Sequence, residues 1–142
     1  MTLPASRTAL REGRSGRPRI LLVEDDAAVR RSLQMLLEGE GYDVRAFATA
    51  AALLADAGAL GADCLVSDYR IGEQDGISLL RTLRQGGWPG PAILMSAFAT
   101  PAMRDRATHE GFAQVFDKPF RPHLLVDLVT SLISRAAQNP QG

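Results

Sequence analysis

Five times between Arg19 and Arg135, a short apolar run gives way to an amphipathic helical pattern, and this alternation restricts the chain to an α/β architecture built on a parallel sheet. The first run, Arg19-Ile20-Leu21-Leu22-Val23, ends near Glu24, and Asp26 is placed to cap a helix carrying Val29, Leu33, Leu36 and Leu37, closed by Gly39 and Gly41. A second strand covers about Tyr42 to Phe47; Thr49 then opens an alanine-rich helix with Leu53, Leu54 and Ala57, stopped by Gly58 and Gly61. The third strand, Asp63 to Asp68, leads through a loop at Gly72 into a helix from about Asp75 to Gln85, with Ile77, Leu80 and Leu83 on one stripe. Gly86, Gly87, Pro89 and Gly90 end that helix. Strand four is Ala92 to Ser96, followed by a helix near Thr100 to Glu110 with few large apolar residues. Strand five is Gln114 to Asp117, and a last helix, Pro122 to Arg135, carries Leu125, Leu128, Val129, Leu132 and Ile133. Right-handed crossovers place helices on both sides of such a sheet, so the units form an open, doubly wound three-layer sandwich.

At 142 residues and 46% hydrophobic content the chain fits one globular domain, able to bury about 70% of its unfolded surface. Residues 1–18 mix Thr, Ser, Gly, Pro and Arg without an apolar period and read as a flexible basic tail; residues 19–135 form the domain, and residues 136–142 a short C-terminal tail. Formal net charge is zero, divided as +3 on the first eighteen residues, where Arg7, Arg11, Arg14 and Arg17 oppose Glu12, and −3 on the remainder. That is no nucleic-acid footprint. The lone Cys64 lies inside an apolar run and reads as a small buried hydrophobe. No apolar stretch approaches the roughly 18 residues that span a bilayer, and the start lacks a secretory signal, so the expected address is the cytoplasm with no membrane partner. His109 and His123 fall on helical surfaces, and Trp88 reads as a loop anchor.

Ligands of doubly wound sheets bind beyond the carboxyl ends of the strands, and the chemistry-bearing residues collect there. Strand one runs into Glu24-Asp25-Asp26, strand three into Asp68, strand four into Ser96, and strand five into Lys118. Lys118 is the one lysine among 16 basic residues, a compact point charge suited to a phosphoryl oxygen in a chain that otherwise uses arginine. Crowded carboxylates repel by about 4 kcal/mol per pair at about 4 Å and an effective dielectric near 20, so a cation belongs among them. Oxygen ligands without nearby His or Cys favour Mg²⁺, which takes one or two carboxylates, waters and phosphate oxygens. Asp25 and Asp68 are the candidate direct ligands, Glu24 acts through water, and Asp26 is a helix cap. Asp68 is also the candidate nucleophile, able to form an aspartyl phosphate. Lys118 would meet one phosphoryl oxygen and the Ser96 hydroxyl another.

These pieces resemble the receiver domain of two-component response regulators. The resemblance rests on Leu21-Leu22-Val23-Glu24-Asp25-Asp26, Ser67-Asp68-Tyr69-Arg70 with Asp75-Gly76 following, Met95-Ser96-Ala97 and Phe116-Asp117-Lys118-Pro119-Phe120. The separations, 43 residues from Asp25 to Asp68, 28 on to Ser96 and 22 on to Lys118, are those of the family. It covers Arg19 to about Arg135. It implies a flavodoxin-like fold with five parallel strands in the order 2-1-3-4-5 and five helices. It further implies phosphotransfer to Asp68 from a phosphohistidine of a sensor histidine kinase or a phosphotransfer protein. Mg²⁺ would be held by Asp25, Asp68 and the backbone carbonyl of Arg70, and the Lys118–Pro119 bond would be cis. The downstream protein target would read the surface of the fourth helix, fifth strand and fifth helix. Such a protein is no enzyme beyond its own phosphorylation and slow autodephosphorylation. With only Ala136 to Gly142 after the last helix, the expected output is protein contact from a stand-alone receiver.

Two positions depart from the family pattern, and two more bear on its chemistry. Val115 stands where receivers carry Tyr or Phe, and Phe116 beside it should face the other side of a regular strand. Gly72 replaces a common proline, which should loosen the loop after Asp68. Arg70 and Phe98 occupy places that tune the lifetime of the phosphorylated state, and this bulky pair is expected to screen attacking water. Two alternatives accompany the receiver reading. An Asp-nucleophile phosphatase would need a second acid where Arg70 stands, and a receiver-like binding module would remain unphosphorylated.

Overall fold

The computed structural model describes residues 16–138. Most of the expected basic tail therefore lies outside the described residues, as do residues 139–142. The order of elements is β1 (Arg19–Val23), α1 (Ala27–Gly39), β2 (Asp43–Phe47), α2 (Ala50–Leu54), β3 (Cys64–Asp68), α3 (Gly76–Gln85), β4 (Ala92–Ser96), α4 (Pro101–Glu110), β5 (Gln114–Asp117) and α5 (Pro122–Gln138). All five strands are parallel, in the order β2-β1-β3-β4-β5, as the resemblance implies.

Alternation along β1 shows why the sheet has two covered faces. Ile20 and Leu22 join Cys64, Val66, Ile93 and Met95 in one core with Leu33 and Leu37 of α1 and Leu125 and Val129 of α5. Leu21 and Val23 join Leu65 and Leu94 in the other, against Leu53 of α2, Leu79, Leu80 and Leu83 of α3, and Ala107 of α4. Side chains of successive strand residues point to opposite faces, so a continuous apolar run supplies both layers. Cys64 is fully buried and burial pushes its thiol up to about 12, in keeping with a packing role.

Four helices start at the caps the sequence supplies. Asp26, Thr49, Asp75 and Thr100 each accept the backbone N–H three residues on, at 3.0, 3.1, 2.7 and 3.1 Å. Differences from expectation are local. Helix α2 stops at Leu54 because Asp56 turns the chain, its Oδ1 accepting from Gly58 N at 2.7 Å, and a 3₁₀ turn at Ala59–Gly61 follows. Helix α5 continues to Gln138 rather than ending at Arg135. The expected loop through Gly72 is an antiparallel ribbon pairing Arg70–Ile71 with Gln74–Asp75, and Gly72 at φ 78° serves its turn.

Helix α4 differs from its neighbours. Only Ala107 is buried, and its ends are fastened by charge: Arg81 on α3 bonds Glu110 at 2.7 Å, while Arg104 bonds Asp117 and donates to Val115 O at 3.4 Å. Val115 packs half-buried on the α4 side of β5, whereas Phe116 faces α5 and stacks on Phe120 at 5.0 Å. The two side chains thus take opposite faces, as strand geometry requires.

Candidate functional site

Where β1 and β3 end side by side, their pairing at Val23 and Ser67 delivers Glu24 and Asp68 to one place. Carboxylate oxygens of Glu24, Asp25 and Asp68 come within 4.8 Å of one another. Glu24 is 1% exposed and Asp68 8%, while Asp25 faces solvent. The fourth acid, Asp26, caps α1 as expected. Lys118 reaches in from the end of β5, its Nζ 2.6 Å from Glu24 Oε1 and 3.1 Å from Asp68 Oδ2. The lysine is held in register by its own N–H donating to Ser96 O at 2.8 Å, and the Lys118–Pro119 peptide is cis.

The electrostatics follow from this crowding. Burial pushes the Glu24 carboxyl above its ordinary value, and the Asp68 charge adds to that, although Lys118 and the Asp26 N–H work against it. Burial alone would lower the Lys118 ammonium, but hydrogen bonds to Glu24 and Asp68 and their charges outweigh it and hold the group above its usual range. One ammonium therefore faces three carboxylates, so the edge is short of positive charge. Its donor set is hard oxygen throughout, with no His or Cys in the cluster, which fits Mg²⁺.

Beside Asp68 opens a cleft of about 100 Å³ lined by Asp68, Tyr69, Arg70, Ser96, Phe98 and Lys118, among others. The Ser96 hydroxyl accepts from Phe98 N at 3.2 Å, which leaves its own proton free to be donated into this space. Phe98 is 85% exposed at the rim. Backbone placement of Asp68 depends on close approach of α3: a Cβ on Gly76 would stand 2.6 Å from Asp68 O and 2.9 Å from Ser67 Oγ. Ser67 in turn donates to Asp68 O at 2.9 Å.

All the residues singled out from the sequence, Glu24, Asp25, Asp68, Arg70, Ser96 and Lys118, converge on this edge. Two contacts were not foreseen: Lys118 bridges Glu24 as well as Asp68, and Arg30 Nη1 donates to the Glu24 carbonyl at 2.9 Å. An arginine on a helix reads as a solvated charge, and nothing in its spacing marks it otherwise. His109 and His123 are exposed on α4 and α5, away from the carboxylates.

Among known proteins, the chain is 33% identical over 123 residues to the response regulator protein TmoT of Ectopseudomonas mendocina, covering 87% of this chain and 56% of that protein. It is 33% identical over 117 residues to the transcriptional regulatory protein FixJ of Bradyrhizobium diazoefficiens, covering 82% and 57% respectively. The chain thus spans little more than half the length of these relatives. Its fold superposes with a TM-score of 0.74 on the non-phosphorylated HemR receiver domain of Leptospira biflexa, at 30% identity, covering 83% of this chain and 95% of that one. With residues 20–130 matching the response regulator receiver domain profile, the chain belongs to the receiver domain family of two-component systems.

Proposed function

We propose that Asp68 accepts a phosphoryl group from a phosphohistidine on a sensor histidine kinase or phosphotransfer protein, in the cytoplasm, and that the domain signals through altered protein contacts. The observation that carries this reading is the meeting of Lys118 Nζ with Asp68 Oδ2 at 3.1 Å on the wall of an open cleft. Asp25, Asp68 and the Arg70 carbonyl would hold Mg²⁺ directly and Glu24 through water. When bound, the ion supplies positive charge against the oxygens of the transferring group. Asp68 attacks phosphorus as the phosphorus–nitrogen bond breaks, and the imidazole leaves with that electron pair and takes up a proton. Lys118 turns from Glu24 toward one equatorial oxygen and Ser96 donates to another; in a loose transition state such positioning is most of the catalysis.

The protein given magnesium and acetyl phosphate should gain the mass of one phosphate, sensitive to hydroxylamine, and Asp68→Ala should gain none. No gain in the wild type would leave an unphosphorylated binding module, and sustained turnover of a phosphoester would make it a phosphatase. The latter reading is disfavoured because Arg70 occupies the place of the second acid. On our reading the chain carries out only its own phosphorylation and slow dephosphorylation.

For output, the α4–β5–α5 face offers itself to a protein target. Val115 lacks the aromatic ring that usually rearranges there, and Arg104 ties α4 to the strand leading to Lys118. Chemical shifts on this face should move when a phosphoryl mimic is added; an unchanged face would remove this route. Arg70 and Phe98 line the cleft that attacking water must cross. Arg70→Asn and Phe98→Ala should each speed dephosphorylation about 3- to 10-fold, up to about 1.4 kcal/mol of barrier. Equal lifetimes would assign them no screening role.

A further inference from the structure

We propose that Arg30 is a positioning residue for the divalent cation, acting through the peptide between Glu24 and Asp25 and not through its charge; the inference rests on the receiver reading above. Arg30 lies in the first turns of α1, where its own N–H donates to Asp26 O at 2.9 Å, and its side chain turns back so that Nη1 donates to Glu24 O at 2.9 Å. That carbonyl lies one residue beyond the end of β1. The Glu24 N–H still reaches β2, donating to Phe47 O at 3.1 Å, but the carbonyl takes its hydrogen bond from the guanidinium. Glu24 is 1% exposed, so without Arg30 the carbonyl would lose its partner in a place water reaches poorly.

The same peptide carries the Asp25 N–H and ends at the Asp25 Cα, so its plane, together with φ of Asp25, sets the direction in which that side chain leaves the backbone. This matters because the three clustered carboxylates are not equally restrained. Lys118 and the Asp26 N–H hold Glu24, and Lys118 holds Asp68. Among the described residues Asp25 takes no hydrogen bond on its carboxylate and faces solvent, so its aim depends on the backbone that Arg30 pins.

Charge and positioning predict opposite signs. A guanidinium beside three carboxylates repels a divalent cation, so removing it as a mere charge would tighten binding. Removing a group that orients a ligand weakens binding, typically by 10-fold or more. Mn²⁺ serves as the probe, with the free ion followed by electron paramagnetic resonance on the full chain without phosphodonor. Arg30→Ala should weaken Mn²⁺ about 10-fold. Arg30→Lys, which keeps a donor of similar reach, should recover most of that loss. Arg31→Ala, which removes an exposed charge from the next position, should leave affinity unchanged or slightly tighter. Arg30→Ala binding as tightly as wild type or tighter, or Arg31→Ala weakening binding equally, would overturn the proposal while leaving the receiver reading intact. Wild type taking up no Mn²⁺ that Asp25→Asn abolishes would instead remove the cation site itself.

Discussion

Lys118→Met should slow phosphorylation of Asp68 by acetyl phosphate about 100-fold or more, the usual effect of deleting one donor that faces developing charge in a sheltered site. The substitution keeps the length of the stem and takes away only the ammonium, which bonds Glu24 at 2.6 Å and Asp68 at 3.1 Å. Its second effect is on stability. Breaking a buried ion pair by removing one partner costs about 3–5 kcal/mol, and partial exposure of Lys118 reduces this to about 2 kcal/mol at pH 7. The pH dependence separates the two partners. The folded Lys118 lies above its ordinary value of 10.5, so its contribution is complete below that pH and is lost as pH rises through the folded value. Wild type should therefore lose stability above about pH 10.5 by a step that Lys118→Met lacks. Glu24 behaves in the opposite sense. Its carboxyl is raised above 4.5, so the folded state binds that proton more tightly, and stability falls as pH rises from 4.5 through the folded value. Without Lys118 the carboxyl rises further, and Lys118→Met should regain stability on acidification from neutral toward that value by more than wild type does. Urea unfolding at intervals from pH 5 to 11 reads both steps; parallel curves for the two proteins would mean that Lys118 does not neutralise this edge.

The sheet and the site were legible in the sequence for different reasons. Strand order could not be read from hydropathy, because Leu21 and Leu65 look alike whichever strands lie between them; it followed from family resemblance. The strands themselves stood out because each is an apolar run bounded by glycine, proline or charge, and burial on both faces removes any need for alternation. Site residues were visible because their positions at strand ends are fixed by the runs that precede them. Ala55 and Ala57 favour a longer α2 locally, but the Asp56 side chain bonding Gly58 N ends the helix at Leu54. The ribbon at Gly72 leaves no sequence signal, since two-residue strands carry no period. Arg30 and the clasp of Arg104 on Asp117 were also missed, because a side chain that crosses to another element leaves no mark on its own helix pattern.

Trp88→Ala should destabilise the domain by about 3–5 kcal/mol, the cost of emptying a buried aromatic site, and lower Tm by about 10–20 °C. Trp88 is 1% exposed at the turn between α3 and β4, and its Nε1 donates to Ala62 O at 2.9 Å across the sheet edge. Arg84 lies over the ring at 5.3 Å and donates to Trp88 O at 3.0 Å and Gly90 O at 2.7 Å, which closes the turn from the solvent side. Gly90 completes the fit, since a Cβ there would stand 2.2 Å from the ring. This assembly feeds the first residues of β4, whereas Ser96 lies at the far end of the same strand, about 13 Å away at the usual rise per residue. Stability and chemistry should therefore separate: well below its midpoint, Trp88→Ala should take up phosphate at close to the wild-type rate. Trp88→Phe should recover part of the stability, with a remaining deficit of about 1–3 kcal/mol for the unpartnered Ala62 carbonyl. Thermal melts by circular dichroism and phosphorylation rates on the same samples decide the matter. A phosphorylation rate that fell in step with Tm would mean that the two edges of the sheet are mechanically coupled through β4, and a Trp88→Ala midpoint within about 3 °C of wild type would mean that the turn is held by Arg84 alone, a deficit of only about 1 kcal/mol.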